Sequence, residues 1–375
     1  MGSRKIMFGK SILKWIMSVS NIIVVFLLLL VLLGAELSPV KFIFPAYFAL
    51  AFPIIIFLNI VYVIFWLFAR KWMFLLSLSL LLYSASEIND NFPIHYGEIE
   101  QPVIDKAIHI LSYNTMMSGK LKKHTLKKPN QVMQYVLDSD ADIVCLQEFM
   151  VSNNDEYLTH NDMLRIFRKY PYKHIEYKLN LKTKRMGIAT FSKFPIINKK
   201  RIEYTSTANI SIYSDIIIDG KTIRLINNHL ESNRLTENDK SMPVKLRDNF
   251  DAGNLKGITL HFSKKLGIAY KLRANQADAV AKEIKNSPYK VIVCGDFNDV
   301  PSSYAYTQVK GKLQDAYSVT GNGLGWTYYR NFFGFRIDYV FYNPHYFSTI
   351  EYKTDKVKYS DHYPVLCTLN MKKDS

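Results

Sequence analysis

Apolar positions along this chain fall into two regimes. Up to about residue 88 they run on almost unbroken; beyond about residue 107 they come in short runs, several of which end in a polar island. Residues 16–34 carry no charge, and residues 42–69 are interrupted only by Pro45, Pro53 and Asn59. A third, shorter run covers residues 72–86. A bilayer core takes about 20 apolar residues in helical form. The pattern therefore predicts an all-helical transmembrane segment over residues 1–88, with spans at about 16–34, 42–69 and 72–88. The third qualifies as a span if it continues past Glu87 to Ile88 or tilts little. A signal peptide followed by a core helix is the alternative. Against it, the first run is longer than a signal core and no convincing small-residue cleavage site follows.

Residues 89–106 are polar, contain Pro93 and Pro102, and read as a linker to a soluble domain at 107–375. In that domain, runs at 107–114, 141–148, 186–191, 212–218, 222–228, 290–298, 336–343 and 363–370 read as strands. Asp219-Gly220, between two of them, is a hairpin signal. Residues 128–138, 161–170 and 273–286 read as helices. Strands alternating with helices, several joined antiparallel, predict a mixed-sheet or two-sheet α/β core with helices outside.

The polar islands carry the chemistry. Glu148 follows DIVCLQ, Asp296 and Asn298 follow KVIVCG, and Asp361-His362 precede YPVLCTL. Carboxylates at strand ends sit at the rim of a sheet, where side chains from different strands can converge. Oxygen-rich, cysteine-free clusters suit Mg²⁺ or Mn²⁺. Together they point to metal-dependent attack on a phosphate ester. Each residue alone has a plainer reading. Asp296 could form a turn, Glu148 a strand-end salt bridge, and His229 could be a satisfied core histidine. Asp338 could pair with Arg336, which reads as structural.

Charge sharpens this picture. Residues 1–106 hold 8 Lys/Arg against 6 Asp/Glu, and the remainder holds 40 against 26. A basic soluble domain favours polyanions or an anionic membrane surface. Arg4, Lys5, Lys10 and Lys14 precede the first span, and Arg70 and Lys71 separate the second from the third. The positive-inside rule then puts the N-terminus in the cytoplasm and, after three spans, the soluble domain outside it, on the periplasmic or external face. With two spans the domain would be cytoplasmic. Cys145, Cys294 and Cys367 each lie inside a predicted strand and read as core thiols.

The ordered set Asn114, Gln147-Glu148, GIATFSKFPI (187–196), NNHLES (227–232), GDFNDVPSS (295–303), RIDYVF (336–341) and SDH (360–362) resembles the endonuclease/exonuclease/phosphatase superfamily. The resemblance covers about residues 107–370. It implies a four-layered α/β sandwich of the DNase I-like type. It also implies roles. Glu148 matches the main metal carboxylate, Asn114 the asparagine beside it, and Asp361 a second metal-side or water-side carboxylate. Asp296 and Asn298 match the pair that orients and deprotonates the attacking water. His229 matches the histidine on the phosphoryl oxygens, and His362 the histidine facing the phosphate, held by Asp338. If the strand stays extended, Asp296 and Asn298 project the same way.

His229, where the abasic-site branch has a tyrosine-containing segment, turns the expectation toward nucleases, phosphatases or sphingomyelinases. A phospholipid or other small extracytoplasmic phosphodiester is the favoured substrate, because tethering raises effective concentration at a membrane. A DNase I-like endonuclease or exonuclease is the alternative, and a non-catalytic membrane module a remote one. The expected partners are the lipid bilayer and the substrate, with no protein partner. Two stretches have no clear place. Residues 233–272 mix apolar and basic residues, which could lie on a membrane, line a nucleic-acid groove or simply pack. Residues 325–336 gather Trp326, Tyr328, Tyr329, Phe332, Phe333 and Phe335.

Overall fold

A computed structural model of the chain describes residues 2–96, 106–120, 123–125, 127–236, 239, 252–329 and 334–373. Part of the expected linker, Phe332 and Phe333, and much of the 233–272 stretch lie outside these residues, as do the side chains of Arg4, Lys5 and Lys10.

The N-terminal segment is helical. α1 spans Gly2–Glu36, α2 Phe52–Phe68, α3 Phe74–Tyr83 and α4 Ala85–Asn91. The apolar stretches Ile12–Glu36 and Phe44–Phe68 are long enough to cross a membrane. Leu28, Val31 and Leu32 of α1 pack on Phe52, Ile55 and Ile56 of α2. Polar groups inside the bundle satisfy each other. Asn21 donates to Ser77 at 2.7 Å and accepts from the Trp66 indole at 3.0 Å, so one amide ties α1, α2 and α3 together. Among apolar helices such a tie fixes relative depth as well as adding stability.

Two of the expected spans differ in detail. Residues 42–69 do not form one continuous α-helix: Phe44–Ala51 is a 3₁₀ segment, and the α-helix begins at Phe52. Pro45 and Pro53 sit in the first turn of each piece, where a missing N–H costs no hydrogen bond. The third run also breaks. α3 has 10 residues, about 15 Å at 1.5 Å per residue, which is shorter than a bilayer core. The chain turns at Ser84, and α4 is polar. Nor does the whole expected linker hang free. The Asp90 carboxylate pairs with Lys310, its carbonyl accepts from Arg336 at 2.5 Å, and His95 N–H donates to Asn322 at 2.8 Å.

The rest of the chain forms the expected four-layered sandwich. Its strands are β1 Ala107–Asn114, β2 Ile143–Ser152, β3 Tyr172–Leu181, β4 Lys184–Ser192, β5 Ile196–Ile202, β6 Ser211–Ile218 and β7 Lys221–His229. They continue with β8 Lys290–Asp296, β9 Gln314–Asp315, β10 Asp338–Tyr342, β11 Phe347–Thr354 and β12 Val365–Met371. One six-stranded sheet has the order β11-β12-β1-β2-β4-β3, the other β5-β6-β7-β8-β10-β9. Each has a parallel pair at its centre, β1 with β2 and β7 with β8.

Period-two alternation builds the layers. Ile108, Ile110, Ile143, Cys145, Ile292 and Cys294 face the space between the sheets, where Cys367 is also buried. Leu111, Tyr113, Val144 and Leu146 face outward and are covered by Val132 and Val136 of α5, Gln131–Asp138. Next along the chain comes α6, His160–Ile166. On the far sheet Ile226, Val293 and Phe341 are covered by Ala277 and Val280 of α7, Ala252–Lys285, and by Val309 of α8, Tyr304–Lys310. The helix expected at 273–286 is thus the C-terminal part of a 34-residue helix. A short helix α9, Ala316–Thr320, follows β9.

Arg336 is the buried pin between the helical segment and the sandwich. It donates to Asp315 at 2.7 Å, and its guanidinium lies 4.7 Å from the ring centres of Tyr317 and Tyr339. It does not pair with Asp338. Arg336→Met strands the buried Asp315 carboxylate and is expected to cost about 3–5 kcal/mol. Thermal unfolding of the detergent-solubilised chain checks this; an unchanged Tm would contradict the assignment.

Candidate active site

The parallel pairs deliver functional groups to one rim. Asn114 ends β1 opposite Gln147, His229 ends β7 opposite Asp296, and Asp338 opens β10 opposite Asp296. Glu148 lies where the register of β2 against β4 shifts, between Leu146 and Phe149. Its φ is 49°, in the left-handed region that a glutamate seldom adopts. A bulge of this kind re-aims a side chain out of the sheet. The next loop is fastened to it: the Thr115 hydroxyl donates to the Glu148 carbonyl at 3.0 Å. Before Asp296, Gly295 has φ 128°, and a Cβ there would lie 2.1 Å from the Asn228 carbonyl oxygen. Only glycine allows this close approach of β7 and β8.

Asp296 is the centre of the cluster. Its carboxylate accepts from Asn114 Nδ2 at 2.8 Å, from the Asn298 backbone N–H at 2.7 Å and from Asn298 Nδ2 at 3.2 Å. The Nε2 atoms of His229 and His362 each lie 3.7 Å from it. His229 Nε2 is also 4.0 Å from Glu148. Behind His362, Nδ1 donates to Asp338 at 2.8 Å, and the Asp338 backbone N–H donates to Thr327 at 3.1 Å. The expected way of pairing Asp296 with Asn298 is corrected: β8 ends at Asp296, Asn298 has φ 53°, and the turn folds Asn298 back onto Asp296.

Burial and like charge govern the electrostatics. Burial pushes Glu148 up to about 7; the His362 charge opposes this, and Asp361 and Asp296 add to it. Burial also raises Asp296, against the pull of His362. Burial lowers His229. For His362, burial pulls down but Asp338 and Asp296 outweigh it and hold the imidazole at about 10.

Asn114, Glu148, Asp296, Asn298, Asp361 and His362 line one cavity of about 490 Å³. His229 is held beside Asp296 and Asp338 behind His362, so the residues expected from sequence come together. Two groupings could hold a cation. Asp296, Asp338 and His362 offer ligand atoms within 4.8 Å of one another, but His362 Nδ1 is already bonded to Asp338. Glu148 and Asp361, with the Asn114 amide, face the open cavity, and their mutual repulsion is what a hard divalent cation relieves. The donor chemistry fits a divalent metal on that side.

Other wall residues carry no local signal in the sequence. Leu50 comes from the 3₁₀ segment, Phe262 and Leu266 from the front half of α7, and Arg234 from the loop after β7. That loop is pinned by buried Arg273, which donates to the Glu231 carbonyl at 2.8 Å and to Asp299 at 2.6 Å, and by Gln276, which accepts from Glu231 N–H at 2.7 Å. From the aromatic stretch, Tyr328 and Phe335 line the cavity, and the Tyr328 ring lies 5.1 Å from that of His362.

Comparison with known proteins gives two family matches. Residues 111–362, more than half of the chain, match the Endonuclease/Exonuclease/phosphatase family. Residues 14–90 match a Domain of unknown function (DUF8431). The chain is 25% identical over 352 residues to the CCR4-Not complex 3'-5'-exoribonuclease subunit Ccr4 of Candida albicans, covering 73% of this chain but 42% of that protein. An endonuclease/exonuclease/phosphatase from Bacteroides vulgatus superposes with a TM-score of 0.50 at 15% identity, over 72% of this chain and 100% of that one. One from Beutenbergia cavernae gives 0.49 at 14%, over 71% and 72%.

The His362–Asp338 pair makes a pH prediction. A folded-state value of about 10 lies above the ordinary imidazole value near ~6.5. The pair's stabilisation is therefore complete below about pH 6.5 and is lost as pH rises through about 10. Asp338→Asn removes the charge that holds the proton. NMR of ¹³C-labelled histidine is expected to show the His362 midpoint at least about one pH unit lower in this variant; an unmoved midpoint would contradict the pairing.

Proposed function

Because the chain belongs to the Endonuclease/Exonuclease/phosphatase family, whose members hydrolyse phosphate ester bonds, we propose that it is a metal-dependent phosphodiesterase working at a membrane surface. The favoured substrate is a phospholipid or another small phosphodiester outside the cytoplasm. The observation that carries this reading is Leu50, a residue of the apolar N-terminal segment that forms part of the wall around Asp296 and Glu148. A soluble nuclease would have no need to build its catalytic cavity from such a segment.

The chemistry follows from the groups in place. Glu148, with Asn114 and Asp361 beside it, would hold a divalent cation, Mg²⁺ or Mn²⁺, which would supply positive charge against the anionic phosphate. Asp296, buried and raised, takes a proton from the attacking water, and Asn298 holds that carboxylate in line. His229 and the protonated His362 donate to the phosphoryl oxygens. Asp338 keeps the His362 proton on and the ring oriented. The water oxygen bonds to phosphorus as its proton passes to Asp296, one ester P–O bond breaks, and the leaving alkoxide is protonated from solvent, to which Asp296 returns the proton it accepted. A phosphomonoester remains.

Basic residues support the orientation. Arg70 and Lys71 lie between α2 and α3, and the positive-inside rule assigns that turn to the cytoplasm. Because α3 alone is shorter than a bilayer core, this orientation needs α3 and α4 together to recross the membrane. α3 and α4 then lead back to the sandwich. The second reading, a nucleic-acid substrate, is favoured by the excess of 40 Lys/Arg over 26 Asp/Glu beyond residue 106 and by the printed activity of the Candida relative.

The test is turnover by the full-length chain in lipid nanodiscs, with phospholipid vesicles, plasmid DNA and RNA as substrates. Release of phosphomonoester from the lipid is expected with Mg²⁺ or Mn²⁺ and none with chelator. Asp296→Asn is expected to lower kcat by about 10²–10⁴. Metal-dependent cleavage of DNA or RNA with intact lipid would overturn the lipid reading in favour of the nuclease.

A further inference from the structure

A second cavity, of about 420 Å³, lies between the helical segment and the sandwich. Its walls are mostly apolar: Leu50, Pro53 and Ile54 on one side, Leu324, Trp326 and Phe335 on the other. Polar side chains at its edge are engaged elsewhere, Asn91 with the Glu87 carbonyl at 2.8 Å, Arg336 with Asp315 at 2.7 Å and the Tyr47 hydroxyl with the Ser263 carbonyl at 2.8 Å. Leu50, Val300 and Phe335 line this cavity and the catalytic one alike, so the two meet. Val300 is two positions beyond Asn298.

The groove also leads the other way. Ile54, Phe57, Val61, Ile64 and Phe68 are exposed large apolar residues on α2. Spacings of three and four place them on one helix face. That face belongs to a stretch long and apolar enough to cross a membrane. A continuous apolar track thus runs from the flank of α2, through the groove, to the edge of the cavity that holds Asp296 and Glu148. Water is a poor occupant of such a groove, because a water molecule needs two to four polar partners.

From this continuity we infer that the groove is an acyl-chain site, which takes one hydrocarbon tail of a bilayer lipid while its phosphodiester lies in the catalytic cavity. The inference rests on the phosphodiesterase reading and deepens it. Polar groups gather at one end of the joint cavity and apolar ones at the other, which matches an amphiphile and not a nucleic-acid strand. The tail need not leave an apolar environment as the head group moves from the bilayer surface to Glu148. The 3₁₀ segment is held for this purpose: Ser302 donates to the Ala49 carbonyl at 3.0 Å, and Tyr47 donates to the Ser263 carbonyl of α7 at 2.8 Å.

The test uses the full-length chain in detergent and a series of alkyl 4-nitrophenyl phosphates, from ethyl to dodecyl, with Mn²⁺. Burying a methylene is worth up to roughly four-fold in kcat/KM, so a rise of at least about 100-fold is expected along the series, the equivalent of about three to four fully buried methylenes. Ile54→Trp, which puts a larger ring at an exposed position of the groove wall, is expected to bring the dodecyl-to-ethyl ratio down towards one. Turnover with no dependence on chain length, or a dependence that Ile54→Trp leaves intact, would overturn the acyl-chain site and leave the phosphodiesterase standing. Absence of metal-dependent turnover of every member would overturn both.

Discussion

Carboxylates brought together out of water repel each other, and this repulsion organises the structure. Asp296 is 1% exposed and has Asp338 as a charged neighbour, while Glu148 feels both Asp361 and Asp296. Such a cluster survives only where donors answer most of its oxygens; the buried Asp338 Oδ1 has no partner. Asn114, Asn298, His229 and His362 answer from four different segments, and Asp338 steadies the last of them. The unusual backbone lies at the same rim: the left-handed Glu148, the left-handed Asn298 and the glycine that lets β7 and β8 close up. Strain of this kind persists where the surroundings over-determine it and where function uses it. On the proposed reading, a cation on the Glu148 side would complete the compensation.

The helical segment is not an appendage to this cluster. It is bolted to the sandwich at Ala49, at Tyr47 and through Asp90 to Lys310 and Arg336. One result is that Leu50 stands in the catalytic cavity. Another is that the exposed apolar face of α2 leads to that cavity instead of ending short of it. On the proposed reading, anchoring and substrate access become one geometric arrangement.

Much of this was readable along the chain. Strands such as Ala107–Asn114 and the pair on either side of Asp219-Gly220 stand out because burial on both faces leaves short, nearly continuous apolar runs. The polar islands stand out because carboxylates at the ends of buried strands need a reason. The residues that shape the cavity are harder. Leu50, Phe262, Leu266 and Arg234 look like ordinary helix or loop residues, and only tertiary packing brings them to Asp296. β3 and β11 escaped notice because edge strands mix charged and apolar residues. The break of the third run at Ser84 has no proline or glycine to announce it. The fold of Asn298 back onto Asp296 depends on a left-handed residue, which an extended-strand reading does not foresee.

The central claim is that the open carboxylate side of the cluster, and not the Asp296–Asp338–His362 group, holds a divalent cation. Anomalous scattering from Mn²⁺ introduced into crystals of the full chain tests it most directly. The account predicts a peak about 2 Å from a Glu148 carboxylate oxygen, facing the cavity. A peak among Asp296, Asp338 and His362, with Glu148 unligated, would contradict it.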